Sequence, residues 1–370
     1  MKTLRVLTGS NYLVERVVDL GQRNARFTKL LLTPIKHIWP NSISLTLAPP
    51  GYDLIHTVNA IPLLGNQPYF ISVETFMPRM WPGNRLEESV FKYLGSQLLS
   101  KKCKKLLAFS KFAIRTMHNQ NRKHHWWPGV SKKIELLYPS VSVKNAYPKK
   151  LSGKKIKLLA VGHDFMRKGF PSIAMAHSAL KKLNVEIETT IVSSLRWSAS
   201  DFIGPRCKAL YAGEKKRLES SGVRIISSLP NKDVLRLMQE ADFFVFPTLH
   251  DAFGFVVTES LSVGTPVIAT STCAIPEIVS DGVNGFLLPI DTDPVTHRWS
   301  WFDQLDSPGY TDAYLHQIEK SSQNIVDVIQ KFLCDTDAYE ELSYNALETA
   351  RTKFHRDVQR KRLETLYDQI

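Results

Sequence analysis

Short apolar runs that stop at polar or glycine-bearing turns recur along this chain of 370 residues. In the first part they are Leu4–Thr8, leading to Gly9-Ser10-Asn11, then Asp53–Val58, Gln67–Glu74, Lys105–Phe109 and Ile134–Tyr138. Later come Ile156–Val161, Val223–Ile226, Phe243–Phe246 and Pro266–Ala269. Apolar runs of about four to eight residues bounded by turn residues predict buried strands. Helical segments alternate with them. Ser110 is placed to cap a helix through Met117, another helix starts near Asn231, Gly254 opens one that carries Glu259, and Leu342–Ile370 reads as helical. Strand, turn, helix and strand from Phe243 to Ala269 make one βαβ unit, so the pattern predicts an α/β protein built on parallel sheets.

Open parallel sheets bind ligands at the carboxyl ends of their strands. Asp251 and the backbone of Ala252–Gly254 fall at such an end. N–H groups at a helix start, with the dipole behind them, suit a phosphate. Carboxylates suit vicinal hydroxyls, because one carboxylate accepts two O–H bonds. Flanked by Asp251 and Glu259, this helix start is suited to a sugar joined to a nucleotide diphosphate. Taken singly, Asp251 also reads as a helix cap and Glu259 as a solvated helix residue. Their joint placement around Phe253-Gly254-Phe255, followed by Gly264-Thr265-Pro266-Val267, favours the chemical reading. A second turn, after Ile156–Val161, presents Arg167 and Lys168. Cations at a helix start oppose the dipole, so their placement argues for a bound anion held without a metal.

The spacing acid-x7-Glu around Phe253-Gly254 resembles the retaining, nucleotide-sugar-dependent glycosyltransferases of the GT-B fold, the large family of bacterial polysaccharide and glycolipid glycosyltransferases. Asp251 stands where that family has Glu, and Ser260 where it has Ala. The resemblance implies that Lys168, in register with the family's K-G, holds the donor diphosphate. Gly162-His163 stands where the family has G-R, so His163 replaces the usual Arg. It further implies that Ser228 and Leu229 lie along the nucleotide base, that Glu259 holds the ribose diol, and that Asp251 orients the sugar hydroxyls. Gly9 is what remains of a Gly-Gly after the first strand. Asp53-Leu54-Ile55-His56 matches the family's D-x-x-H, and Glu74 replaces its strand-end His. His56 and Glu74 therefore read as acceptor-pocket residues or, equally, as a packed strand end and a solvated acid.

Composition narrows this further. At 43% hydrophobic and 22% charged residues the chain is ordinary globular protein. No apolar run approaches the ~18 residues of a membrane span. Arg5 interrupts the first apolar stretch, which reads as a strand and not a signal peptide. Cys103, Cys207, Cys273 and Cys334 lie far apart and read as reduced thiols of a cytoplasmic protein. The net charge of +13 sits wholly in residues 1–150, with 23 Lys and Arg against 7 acids. No nucleic-acid module accompanies it. Arg122–Val130 sets Trp126 and Trp127 among cations, a mixture suited to an anionic membrane surface; inward packing of both indoles is the competing reading. Asp291-Thr292-Asp293 resembles the metal-binding D-x-D of another glycosyltransferase class, but its place after Phe286–Ile290 makes it a loop, and Trp299 and Trp301 follow in a lid or a packed insertion.

The expectation is therefore a GT-B enzyme of two Rossmann-like parallel-sheet domains facing a cleft. Residues 1–150 form the acceptor side, 151–345 the donor domain, and 346–370 a helix returning to the first domain. Such an enzyme transfers a sugar from a nucleotide diphosphate sugar to a carbohydrate or lipid-linked acceptor, with retention, without cofactor or metal, at the inner face of a membrane. A GT-B epimerase or hydrolase, and a non-catalytic sugar-nucleotide-binding subunit, are the alternatives.

Overall fold

The computed structural model describes residues 3–9, 13–30, 33–34, 45–63, 66–79, 87–143, 147–151, 155–197, 202–334 and 337–370. Ser10 and Asn11 lie outside them. The chain divides into two compact units, one of residues 1–141 with 353–370 and the other of residues 142–352.

In the first unit the strands are β1 (Leu4–Thr8), β2 (Ala25–Lys29), β3 (Thr33–Pro34), β4 (Leu45–Leu47), β5 (Leu54–Val58), β6 (Ile61–Leu63), β7 (Tyr69–Val73), β8 (Cys103–Ala108) and β9 (Ile134–Leu136). The main sheet runs β2-β1-β5-β7-β8-β9, wholly parallel, and β3-β4-β6 form a small second sheet. Ser110 caps the helix Lys111–Asn121, its Oγ accepting from the Ala113 N–H at 2.9 Å. Lys133 closes the end of the helix Glu87–Leu99, its Nζ donating to the carbonyls of Leu98, Leu99 and Ser100. A cation there satisfies orphan acceptors and complements the dipole. The last helix, Arg356–Tyr367, belongs to this unit and places Leu363 and Tyr367 in the core with Leu54 and Phe70.

The second unit holds β10 (Ile156–Val161), β11 (Ile187–Val192), β12 (Arg224–Ile226), β13 (Phe243–Phe246), β14 (Val267–Thr270) and β15 (Gly285–Leu288). They form one parallel sheet in the order β12-β11-β10-β13-β14-β15. The order reverses between β10 and β13, which opens a crevice at their carboxyl ends. Phe243, Val245, Ile268 and Ile191 pack with Tyr314, Ile325 and Phe332 of the long helix Tyr310–Cys334. Lys149 already belongs here, its N–H donating to Ser343 Oγ at 2.7 Å and its Nζ to Thr265 Oγ1 at 3.0 Å. β11 is absent from the sequence reading because Glu188, Thr189 and Thr190 break its apolar run. Thr189 is nonetheless buried, its hydroxyl 2.9 Å from His177 Nδ1.

Two expectations are corrected by burial. Trp126 and Trp127 are 1% and 4% exposed, so neither indole reaches a membrane. Trp126 stacks on His124 at 5.2 Å, and Trp127 Nε1 donates to His118 Nδ1 at 3.1 Å. His56 is fully buried, with Nδ1 2.6 Å from the Tyr367 hydroxyl and Nε2 3.0 Å from Ser72 Oγ. It is a core residue of the first unit and lines no acceptor pocket. The region after Asp291 is a packed insertion: Trp299 is 2% exposed and its ring meets Tyr310 at 5.4 Å. Among the described residues no helix is long and apolar enough to cross a membrane.

Burial pushes the His56 pKa down from 6.5 to about 3. In the unfolded chain this ring gains a proton as pH falls below 6.5, whereas in the folded chain it stays neutral down to about 3. The unfolded state then binds more protons, so stability falls with falling pH through that window, by about 1.4 kcal/mol per pH unit for one residue. Urea denaturation between pH 7 and pH 4 should show this slope, reduced in His56→Gln. An unchanged slope in the variant contradicts the assignment.

Candidate functional site

The site lies where the sheet order reverses, at the turns that follow β10 and β13. After β10, Gly162 donates its N–H to the Val192 carbonyl at 3.0 Å, and His163 is exposed with its carbonyl accepting from Ser193 Oγ at 3.2 Å. The turn ends at Gly169, whose φ of +68° and close approach to the chain both require glycine: a Cβ there would sit 2.1 Å from the Pro247 carbonyl oxygen. This contact brings the Lys168 turn against the end of β13. Lys168 is buried, its ammonium ion-paired with Asp251 Oδ2 and lying 4.7 Å from the centre of the Phe246 ring.

On the β13 side, Gly254 caps the helix Phe255–Ser262 with φ +89°. A Cβ at Gly254 would meet Ile275 Cδ1 at 2.7 Å. Asp251 Oδ1 accepts from the N–H groups of Phe253 at 3.2 Å and Gly254 at 2.7 Å. One carboxylate thus gathers an ammonium and two helix-start amides. Burial works to raise the Asp251 pKa, yet the adjoining Lys168 charge holds it below the usual carboxylate value. Burial depresses the Lys168 pKa, against the opposing pull of Asp251. We take the pair as ionised, because the close contact and the two amides all favour the carboxylate.

Glu259, on the second turn of that helix, is 4% exposed, and its Oε1 accepts from Asn231 Nδ2 at 3.1 Å. Asn231 opens the helix Asn231–Glu240 just after Ser228, which is exposed, and Leu229, which is half-buried. Arg167 turns away from Lys168. Its guanidinium is paired with Asp164 Oδ2 at 2.6 Å, donates to the His250 carbonyl at 3.0 Å, and lies over the Phe202 ring at 5.6 Å. Asp293, the second acid of the D-x-D, is engaged within its own loop, accepting from Val295 N, Thr296 N and Thr296 Oγ1.

The structure therefore brings Lys168, Asp251, Phe253, Gly254 and, through Asn231, Glu259 and the Ser228-Leu229 turn to one sheet edge. Gly9, His56 and Glu74 belong to the first unit. Gly9 follows β1, and Glu74 Oε2 pairs with Arg79 at 3.3 Å. Asn231, Asp164 and His250 are additions to the sequence reading. Asp164 was legible as an i,i+3 partner of Arg167, and Asn231 as a polar residue opening a helix beside Ser228. Nothing in the sequence marks His250 as buried. Its ring lies 3.2 Å (Nδ1) from Cys273 Sγ and 4.6 Å from the Phe302 centroid, and burial lowers its pKa to about 3.

Comparison with known proteins shows similarity over the second unit and in the fold. The family described as "Glycosyl transferases group 1" matches residues 144–294. A D-inositol 3-phosphate glycosyltransferase of Streptosporangium roseum is 32% identical over 117 residues, 30% of this chain and 27% of that one. An uncharacterized 41.2 kDa protein in the cps region of Klebsiella pneumoniae is 28% identical over 170 residues, 43% of each chain. The chain spans less than half the length of these curated relatives. The crystal structure of Anabaena HepE in complex with UDP-glucose superposes with TM-score 0.60 at 13% identity, covering all of both chains. The fold is GT-B, two Rossmann-like parallel-sheet units.

Removing one partner of a buried ion pair costs about 3–5 kcal/mol, because the remaining charge is left uncompensated. Lys168→Met should lower unfolding stability by that amount, and Lys168→Met/Asp251→Asn should recover most of it, since Asn keeps an oxygen for the Phe253 and Gly254 amides. Chemical denaturation of the three proteins checks this; equal stability of wild type and Lys168→Met contradicts it.

Proposed function

We propose that this chain is a glycosyltransferase that moves a sugar from a nucleotide diphosphate sugar to an acceptor hydroxyl, with anomeric configuration retained, in polysaccharide or glycolipid synthesis. The observation that carries the proposal is the convergence of the Lys168 ammonium and the Phe253 and Gly254 amides on a single anionic group, Asp251. These donors are already ordered around negative charge. A donor diphosphate entering the crevice draws on the same ammonium and the same helix start, which stabilises the charge that develops as the phosphate leaves. Asp251, released from part of that work, orients the sugar hydroxyls. Glu259, steadied by Asn231, takes the ribose diol, and the Ser228-Leu229 turn lies along the base. The similarity of residues 144–294 to group 1 glycosyl transferases supports this assignment.

Arg167 has a supporting role in this reading. Its guanidinium joins Asp164 to the His250 carbonyl and so fixes the Lys168 turn against the Asp251 turn. The leaving group departs on the face from which the acceptor attacks, and its phosphate oxygen takes the acceptor proton, so no side-chain base is assigned. The positive charge of residues 1–150 suits an anionic or lipid-linked acceptor. With the diphosphate charge met by Lys168 and the helix start, the reading calls for no divalent metal.

A thermal-shift panel of UDP, GDP, ADP and their sugars identifies the donor, since ligand at 100 times Kd adds about 2.7 kcal/mol. With that donor, Glu259→Gln should fold normally, because Oε1 still accepts from Asn231. It should lose roughly 10- to 150-fold in kcat/KM, the equivalent of a charged hydrogen bond. Wild-type turnover in Glu259→Gln, or release of free sugar as the only product, removes the assignment. Turnover should also survive EDTA. Activity lost in EDTA and restored by Mn²⁺ or Mg²⁺ overturns the metal-independent reading.

A further inference from the structure

Beside the donor site the second unit carries a cavity of about 470 Å³ that the proposed reaction does not use. Leu195, with φ +48°, turns the chain after β11 and presents Arg196 and Trp197. Opposite them lies the helix Lys208–Ser220, which contributes Lys208, Tyr211 and Lys215. The Trp197 ring is 42% exposed, and the Lys208 ammonium lies 5.3 Å from its centroid. Tyr211 forms the inner wall, its hydroxyl donating to the Arg196 carbonyl and its ring meeting Phe165 of the Lys168 turn at 4.5 Å. Among the described residues, none that lines the cavity is acidic. Lys215 also reaches Glu219 at 3.8 Å, but both groups are about half exposed and such a pair contributes little.

Three cations around one exposed indole repel one another, and Lys208, as the first residue of its helix, also faces the unfavourable end of the dipole. An anion offsets both costs. The flat, apolar face of the indole accepts a body with C–H or π surface, while Arg196 and the lysines match a carboxylate or phosphate. The volume falls within the range of about 300–1,000 Å³ for small-molecule sites. We propose that this cavity binds an anionic sugar unit, its pyranose face on Trp197 and its carboxylate or phosphate on Arg196, Lys208 and Lys215. The inference rests on the proposed function only in choosing a sugar as the body of the ligand.

The test is isothermal titration of the full chain with D-glucuronate, D-glucose 6-phosphate and D-glucose, with the donor site filled by whichever of UDP, GDP or ADP raises Tm. Glucuronate or glucose 6-phosphate, the two arms that separate carboxylate from phosphate, should bind at least tenfold more tightly than glucose. Lys208→Ala and Trp197→Ala, each with unchanged Tm, should weaken that binding by ~10-fold, as loss of a charged contact or a stacking face does. Equal affinity for the neutral sugar, or binding untouched by both variants, overturns the proposal. If no nucleotide binds while glucuronate still does through Trp197, the proposed function fails and this inference stands.

Discussion

The buried contact between Lys168 and Asp251 is the interaction on which the second unit's edge depends. It joins the turn after β10 to the turn after β13, the two strands between which the sheet order reverses. Two ions removed from water cost several kcal/mol each, so the pair persists only because further partners share the charge. Asp251 has the Phe253 and Gly254 amides, and Lys168 has the face of Phe246. Such a pair contributes little net stability. It does fix the position of one ammonium and two amides to within hydrogen-bond tolerance, the preorganisation that recognition of an anion requires.

A second layer holds the pair in place. Arg167 links Asp164 to the His250 carbonyl, so the residue before Asp251 is tied to the residue before Lys168. The His250 ring meets Phe202 at 5.4 Å and Phe302 at 4.6 Å, with Arg298 over Phe302. Burial and the nearby Arg298 keep that imidazole neutral, which spares the edge another positive charge. The insertion that carries Trp299 and Phe302 is therefore a brace beneath the Asp251 turn. Its backbone contributes as well, the His297 carbonyl accepting from Cys273 N–H at 2.7 Å. Cys273 adopts φ +53°, a conformation that a non-glycine residue holds only when its surroundings enforce it.

The first unit uses the same physics for packing. His56 sits at a sheet position that is fully enclosed, satisfied on both ring nitrogens by Tyr367 and Ser72. Tyr367 comes from the last helix, so an interaction across 311 residues of sequence fixes that helix on the sheet. The tryptophan pair is likewise internal, fitted against Gly95, where a Cβ would sit 2.2 Å from the Trp126 ring. The basic character of this unit survives the loss of both indoles from its surface, because it resides in side chains such as Lys101 and Lys123, which are exposed.

Local pattern sufficed for much of the scaffold. Phe243–Phe246 is a continuous apolar run and Ile156–Val161 one broken only by the half-buried Lys157, and the strands coincide with them because burial on both faces leaves little room for polar alternation. Gly254 was legible as a helix start, and the structure adds that its left-handed backbone at close approach, like that of Gly169, requires glycine. The edge strand Ala25–Lys29 and the polar β11 were not: Arg26, Thr28 and Lys29 are exposed on the sheet edge, and in β11 Thr189 is buried only because His177 meets its hydroxyl, so neither strand shows an apolar run. Asp251, Lys168 and Glu259 announced themselves by spacing, yet the sequence leaves open whether Asp251 caps the amides it flanks, and does not say that Arg167 points away from Lys168. His56, Trp126 and Trp127 show the same limit. A histidine at a strand end and an indole among lysines read alike whether they face solvent or core, and the direction is decided by contacts distant in sequence, such as Tyr367 on His56 and Gly95 under Trp126. Sequence determined which groups are available and where the chain turns; tertiary packing decided which of them meet, because burial and pairing depend on residues brought together only by the fold.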